Sequence, residues 1–140
     1  MTELKAPPDG VLLTGATGFV GMELLVRYLE STDRQVYALV RGASDREVAA
    51  RLEGTLQFLF GARHPYASRV VAVRGDITRP DLGLGRRRDA LAERMGEVVH
   101  GAASVSFGLS LDASRAVNVQ GTRRMLELCH GGGQARQVAL

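Results

Sequence analysis

Lysine is nearly absent from this chain. Of 18 lysines and arginines only Lys5 is a lysine, and it stands ahead of the first apolar segment. Tryptophan is missing, and aromatic residues make up 5% of the sequence. The arginines are scattered, and the one dense cluster, residues 86–88, leads into an acidic and apolar helical stretch. A nucleic-acid surface gathers its basic residues on one face. The net charge of +3 is therefore read as solvated turns and helix starts, with no nucleic-acid partner. Cysteine is limited to Cys129, which excludes an intramolecular disulfide and fits a cytoplasmic setting. In "MLELC" it lies on an apolar helical face, as a small buried residue does. No apolar run is long enough for a membrane span. The start, "MTELKAPPDG", lacks the apolar core of a secretory signal.

What is present suits one globular domain: 140 residues, 45% hydrophobic and 24% charged. Residues 1–10 read as a disordered lead, and residues 11–140 as the domain. "VLLT" (11–14) is a short buried strand. From Gly18 the pattern becomes helical, with Val20, Leu24, Leu25, Tyr28 and Leu29 on one face. "QVYALV" (35–40) is a second strand. Ser44 and Glu47 form a capping box for the helix whose face carries Val48, Leu52, Leu56 and Leu59. A loop holding His64 beside Pro65 precedes a third strand, "RVVAVRG" (69–75). "DITRPDLGLG" is a loop, and "RRDALAERMG" a helix closed by Gly96. "EVVHGAA" (97–103) is a fourth strand, in which His100 reads as a core histidine. "AVNVQGTRRMLELCHGGG" holds another helix stopped by glycines, and "RQVAL" (136–140) begins a fifth strand. Strands alternating with helices predict an α/β fold with a doubly wound parallel sheet, in the order 3-2-1-4-5.

The glycines at 15, 18 and 21 follow the first strand directly. A strand feeding a helix through such a turn aims the free N–H groups and partial positive charge of the helix N-terminus above the sheet, where a phosphate is attracted. Gly15 permits the tight turn, Gly18 the close approach of a pyrophosphate, and Gly21 the packing of helix on strand. Three glycines alone could also make a purely structural turn. The strand before, the helix after and a second strand ending about 25 residues on favour a Rossmann-type nucleotide turn. A P-loop is excluded, since no Gly-Lys-Ser/Thr follows. At the tip of the second strand a carboxylate would bind the ribose 2′-hydroxyl of NAD, whereas an arginine accommodates the 2′-phosphate of NADP. The chain reads "ALVRG", with Arg41 there, matched to phosphate oxygens or else simply a surface arginine. Arg51, ten residues on, could add charge at the same place.

"TGATGFVG", "LVRG", "GDIT", "HGAASVSF" and "NVQGT" occur in this order. Together they resemble the extended short-chain dehydrogenase/reductases. The segments "LVRGASDREVAARLEGT" and "DLGL" are most similar to the branch of thioester reductase domains, fatty acyl-CoA reductases and male sterility proteins. The resemblance covers about Val11 to Leu140 and implies NADPH as cofactor. It makes the whole turn, Gly15, Ala16, Thr17, Gly18, Phe19, Val20 and Gly21, a candidate cofactor site, with Thr17 to Val20 around the pyrophosphate. Arg41 would hold the 2′-phosphate. Asp76 and Ile77 would flank the adenine. Ala102, Ala103 and Ser104 would pass under the nicotinamide-side ribose, and Asn118 would tie the next helix to the floor of the site. From the residues alone, Asp76 also suits a turn and Asn118 a helix cap.

The family's chemistry, as the resemblance implies it, is hydride transfer from NADPH to an acyl thioester, carried by CoA or a carrier protein, giving an aldehyde or alcohol. A tyrosine donates the proton, and a lysine four residues later lowers its pKa. Tyr28, Tyr37 and Tyr66 have no lysine at that spacing. The chain is accordingly expected to be the cofactor-binding part of a reductase, inactive by itself. A sugar-nucleotide epimerase, dehydratase or ketone reductase of the same superfamily, and a non-catalytic NADP-binding module, are the alternatives. With the fifth strand only begun, the apolar fourth strand is expected to present a nearly bare edge and to promote self-association.

Overall fold

The computed structural model describes residues 8–131 and 137–139. Five parallel strands form one sheet in the order β3-β2-β1-β4-β5, as the alternation of elements predicts. The strands are β1 (Gly10–Thr14), β2 (Val36–Val40), β3 (Val70–Arg74), β4 (Met95–His100) and β5 (Gln137–Ala139). The helices are α1 (Phe19–Ser31), α2 (Asp45–Phe60), α3 (Arg87–Arg94), α4 (Leu111–Asn118) and α5 (Gln120–Gly131). The lead expected over residues 1–10 lies outside the described residues as far as residue 7. Asp9 is held by the Arg34 side chain at 2.9 Å, and Gly10 opens β1.

β1 is buried at all five positions because it lies between β2 and β4 with helices on both faces. Val11, Leu13, Val36, Ala38, Val40 and Val99 pack on one face against Leu25 and Leu29 of α1 and Val48, Leu52 and Leu56 of α2. Leu12, Met95 and Val98 pack on the other against Leu91 of α3 and Met125, Leu128 and Cys129 of α5. Each fully buried leucine contributes about 1.5–3 kcal/mol by leaving water. α1 turns Gly21, Leu25 and Leu29 inward, every fourth residue. Leu24 and Tyr28 sit at the margin of that core, whereas Val20 is 62% exposed and belongs to the open end of the sheet instead. The capping box closes α2: Ser44 Oγ accepts from the Glu47 N–H at 3.1 Å, and Glu47 Oε2 accepts from the Ala43 N–H at 2.9 Å. His64 is anchored in the loop that follows, on Glu53 at 2.9 Å.

Three boundaries differ from the sequence reading. The helix expected to run to Gly96 stops at Arg94, and Met95 and Gly96 already belong to β4. Met95 is buried in register with Gly10, and a Cβ on Gly96 would lie 2.3 Å from the Pro8 carbonyl oxygen, so the strand begins where the incoming chain crosses it. The loop after β3 contains a 3-10 turn, Pro80–Gly83, that buries Leu82. The single helix read from "AVNVQGTRRMLELCHGGG" is two helices, divided at Val119. The first starts earlier, at Ser110, whose hydroxyl accepts from the Ala113 N–H at 3.2 Å. Part of the glycine stop lies outside the described residues. β5 pairs with β4 at Glu97, Val98 and Val99, so the outer edge is covered over those three residues rather than nearly bare. Among the described residues no helix is long and apolar enough to cross a membrane.

Candidate functional site

All four loops that leave the C-terminal ends of β1, β2, β3 and β4 open at the same edge of the sheet. β1 has β2 on one side and β4 on the other, so successive crossovers leave it in opposite directions and a crevice is left between the loops. A cleft of about 710 Å³ occupies it.

Its floor is the glycine turn. Gly15 has φ +78°, and a Cβ there would lie 2.7 Å from the Gly101 carbonyl carbon, so only glycine lets β1 and the exit of β4 approach this closely. Gly21 is packed harder still, since its Cβ would lie 1.8 Å from the Gly15 carbonyl oxygen. Gly18 differs. Its backbone is extended, and a Cβ would meet only the Gly15 oxygen, at 3.3 Å. Gly18 is the N-cap of α1, with no side-chain cap and no acidic residue in the first turn. The contrast with α2 is direct, because α2 has its Glu47 N–H capped by the Ser44 side chain and carries Asp45 and Glu47 in its first turn. The α1 terminus is left electropositive, with its donors unused by side chains, and Thr17, Gly18, Phe19 and Val20 line the cleft around it.

Arg41 stands at the end of β2 on the cleft wall, exposed. Among the described residues its guanidinium has no hydrogen bond or ion pair; its charge is felt by Asp76. Arg51 also lines the cleft, and its Nη1 donates to the Arg41 carbonyl oxygen, which places the Arg51 guanidinium against the Arg41 backbone. Asp76 Oδ1 accepts from the Thr78 N–H at 2.8 Å and from the Thr78 hydroxyl at 2.6 Å. Partial burial alone would raise the carboxyl's pKa. The two Thr78 bonds, with Arg41 and Arg79, outweigh it and hold the carboxyl below its ordinary value. Ile77 is wedged between the cleft and Gly121 of α5, where a Cβ would lie 2.9 Å from Ile77 Cδ1.

At the other end, Ala102, Ala103 and Ser104 line the cleft after β4. Asn118 does not line it but reaches Ser104 from α4. Its Oδ1 accepts from the Ser104 N–H at 2.8 Å, and its Nδ2 donates to the Ser104 carbonyl at 3.0 Å. The two-point bond pins the loop to the helix. Ala16 is the one member of the turn that faces away. It is 1% exposed and packs in the core beside Leu25 and Val40, because Gly15 rotates the chain just before it. Of the candidate residues, then, all but Ala16 and Asn118 border one cleft.

The sequence reading missed Thr14 and Gly101, and a rim of apolar residues: Val105, Leu109, Ala113 and Val117. The rim could have been found from Ser110, an N-cap three residues before Ala113. Among the described residues no group of side chains could hold a metal ion.

Comparison with known proteins agrees with this geometry. Residues 13–140 match the Male sterility protein family, an NAD-binding family. The isonitrile lipopeptide synthase of Streptomyces coeruleorubidus is 42% identical over 123 residues, covering 86% of this chain and 8% of that protein. The fatty acyl-CoA reductase wat of Drosophila melanogaster is 32% identical over 126 residues, covering 85% of this chain and 24% of that protein. The solved terminal R domain of the myxalamid PKS-NRPS biosynthetic pathway superposes with a TM-score of 0.85 at 34% identity, covering 96% of this chain and 35% of that one. The chain thus spans less than two-fifths of each of these relatives. With the fold, the glycine turn and the cleft in agreement, the chain belongs to the Male sterility protein family, within the short-chain dehydrogenase/reductase fold of the reductase domains.

Proposed function

We propose that the cleft binds a nicotinamide dinucleotide with preference for NADPH, and that the chain is the cofactor-binding part of a reductase of acyl thioesters. The observation that carries the reading is the bare N-terminus of α1, opening on the cleft beside two arginines. In this reading the N–H groups of the first α1 turn hold the pyrophosphate, Arg41 takes the 2′-phosphate, and Arg51 adds charge and fixes the Arg41 backbone. Asp76 and Ile77 border the adenine, and Ala102 to Ser104 lie under the second ribose. Asn118 acts through Ser104 as a positioning residue, and Ala16 supports the turn from the core. When bound, the dinucleotide supplies a hydride. The names of the relatives, an acyl-CoA reductase and reductase domains of peptide synthetases, support an acyl thioester on CoA or a carrier protein as the acceptor. Within the chain no tyrosine has a lysine four residues on, so it is expected to hold the cofactor without turning over acyl-CoA.

Calorimetric titration of the chain with NADPH and NADH tests the reading. Each charge-assisted hydrogen bond is worth about 1.5–3 kcal/mol, so Arg41→Ala is expected to weaken NADPH roughly ten- to a hundredfold and to spare NADH. An equal loss for both cofactors would overturn the assignment of Arg41.

A further inference from the structure

His100 ends β4 directly opposite Thr14, the last residue of β1. Both are buried, at 7% and 1% exposure. The ring makes one hydrogen bond, between Nδ1 and Thr14 Oγ1 at 2.7 Å, and its Nε2 is buried with no partner among the described residues. The Thr14 hydroxyl is shared further. It accepts from the Ala102 N–H at 3.1 Å and, at 3.2 Å, shares the Gly101 N–H, which also donates to the Thr14 carbonyl oxygen at 3.1 Å. A hydroxyl has two acceptor sites and one proton. With both acceptor sites filled, the proton goes to His100 Nδ1. On this count the neutral ring carries its proton on Nε2, a buried donor that meets no acceptor among the described residues.

This arrangement works only with a neutral ring. A second proton on the imidazole lands on Nδ1 and meets an oxygen whose own proton already points there. The Thr14 hydroxyl must then turn and release Ala102 or its share of the Gly101 N–H, which keeps its bond to the Thr14 carbonyl. Those two residues line the cleft, and the Gly101 backbone lies directly against Gly15. We propose that His100 is a positioning residue for the nucleotide cleft: by accepting the Thr14 proton it aims that hydroxyl at the Gly101 and Ala102 N–H groups, and its protonation loosens the cleft wall. The proposal rests on the dinucleotide reading for its effect on binding, but not for its effect on the wall.

The surroundings suit a proton-sensitive element. Residues alternate along a strand, so His100 shares the face of Val98, which packs with Leu12, Met125, Leu128 and Cys129. Glu97 is on the opposite face, bound to Tyr28 and Arg34. On the helices of the His100 side, Arg88 is paired with Asp81 and Asp89 and bonds the Glu127 carbonyl, Arg123 pairs with Glu127, and Arg124 donates to the Ile77 carbonyl. Asp112, Arg115 and His130 are exposed. Burial is the cause that lowers the His100 pKa, with no charged neighbour contributing.

Heteronuclear NMR on the ¹⁵N-labelled chain, with NADPH titrations at a series of pH values, tests the proposal. His100 is expected as the Nε2–H tautomer at pH 7.5, with the Ala102 amide protected from exchange. Thr14→Val is expected to lose that protection and to weaken NADPH about tenfold, and Thr14→Ser to restore both. NADPH affinity of the wild type is expected to fall in step with His100 protonation, and His100→Gln to remove that step. An Nδ1–H tautomer would overturn the proposal, as would unchanged Ala102 protection in Thr14→Val, or an affinity that ignores His100 titration. A wild-type chain with the expected tautomer and protection but no NADPH binding would refute the dinucleotide reading, and with it the role of His100 toward a cofactor.

Discussion

Replacing Gly18 by alanine is expected to separate binding from folding, and replacing Gly21 to do the reverse. Gly18 has φ −92° and ψ 172°, a conformation any residue adopts. Its new methyl would meet only the Gly15 oxygen at 3.3 Å, a contact relieved by a few tenths of an ångström. The loss of stability is then about that of a less favourable N-cap, roughly 1 kcal/mol. The methyl would, however, stand over the uncapped first turn of α1. Losing one charge-assisted bond to a phosphate costs about 1.5–3 kcal/mol, or roughly ten- to a hundredfold in affinity. At Gly21 a methyl would lie 1.8 Å from the Gly15 oxygen and 2.4 Å from its carbonyl carbon. The helix or the turn has to shift by more than ~1 Å, an overpacking cost at or above the usual ~1–3 kcal/mol. The assay is paired: thermal unfolding for stability and calorimetry with NADPH for affinity. Gly18→Ala with wild-type affinity would refute the reading of this terminus as the phosphate site. Gly21→Ala with wild-type stability would refute the packing argument.

Two further predictions concern pH. Tyr28 donates to Glu97 at 2.5 Å, and burial first, then this bond, push its pKa up to about 12 from an ordinary value of 10.0. A raised folded-state pKa gives stability that is whole below the ordinary value and lost as pH climbs toward the folded one. Urea midpoints are expected to fall between about pH 10 and 12 in the wild type, and this loss to be smaller in Tyr28→Phe; identical alkaline limbs would count against the bond. Asp76 has the opposite sign, since its pKa is held below 3.8 in the fold. Its contribution is present above that value and disappears as pH falls below it. Asp76→Asn is expected to flatten the acid limb of stability, and an unaltered limb would show that the Thr78 bonds do not favour the ionised carboxylate.

Much of the architecture was legible because it is written in local periodicity. Short strands rich in apolar residues, helices with an apolar residue every third or fourth place and the Ser44–Glu47 cap are each recorded within a dozen residues. Alternation of strand and helix then leaves the parallel doubly wound sheet as the sheet topology that right-handed crossovers allow. The glycine turn was legible too, because close backbone approach admits no other residue type at Gly15 and Gly21.

What the sequence by itself determined is therefore the fold, the place of the turn and the loops that would border it. Tertiary structure alone decided which neighbour in those loops faces the cleft. Ala16 and Thr17 are adjacent and chemically unremarkable in a string, yet the positive φ of Gly15 sends the first into the core and the second to the cleft. It decided where β4 begins, because Met95 becomes a strand residue only through its pairing with Gly10. It also joined Thr14 to His100, Gly101 and Ala102, and Asn118 to Ser104, across separations of 86, 87, 88 and 14 residues. Such bonds depend on strand register and on how a loop returns to a helix. They have no period along the chain, so they exist as information only once β1 and β4 lie side by side.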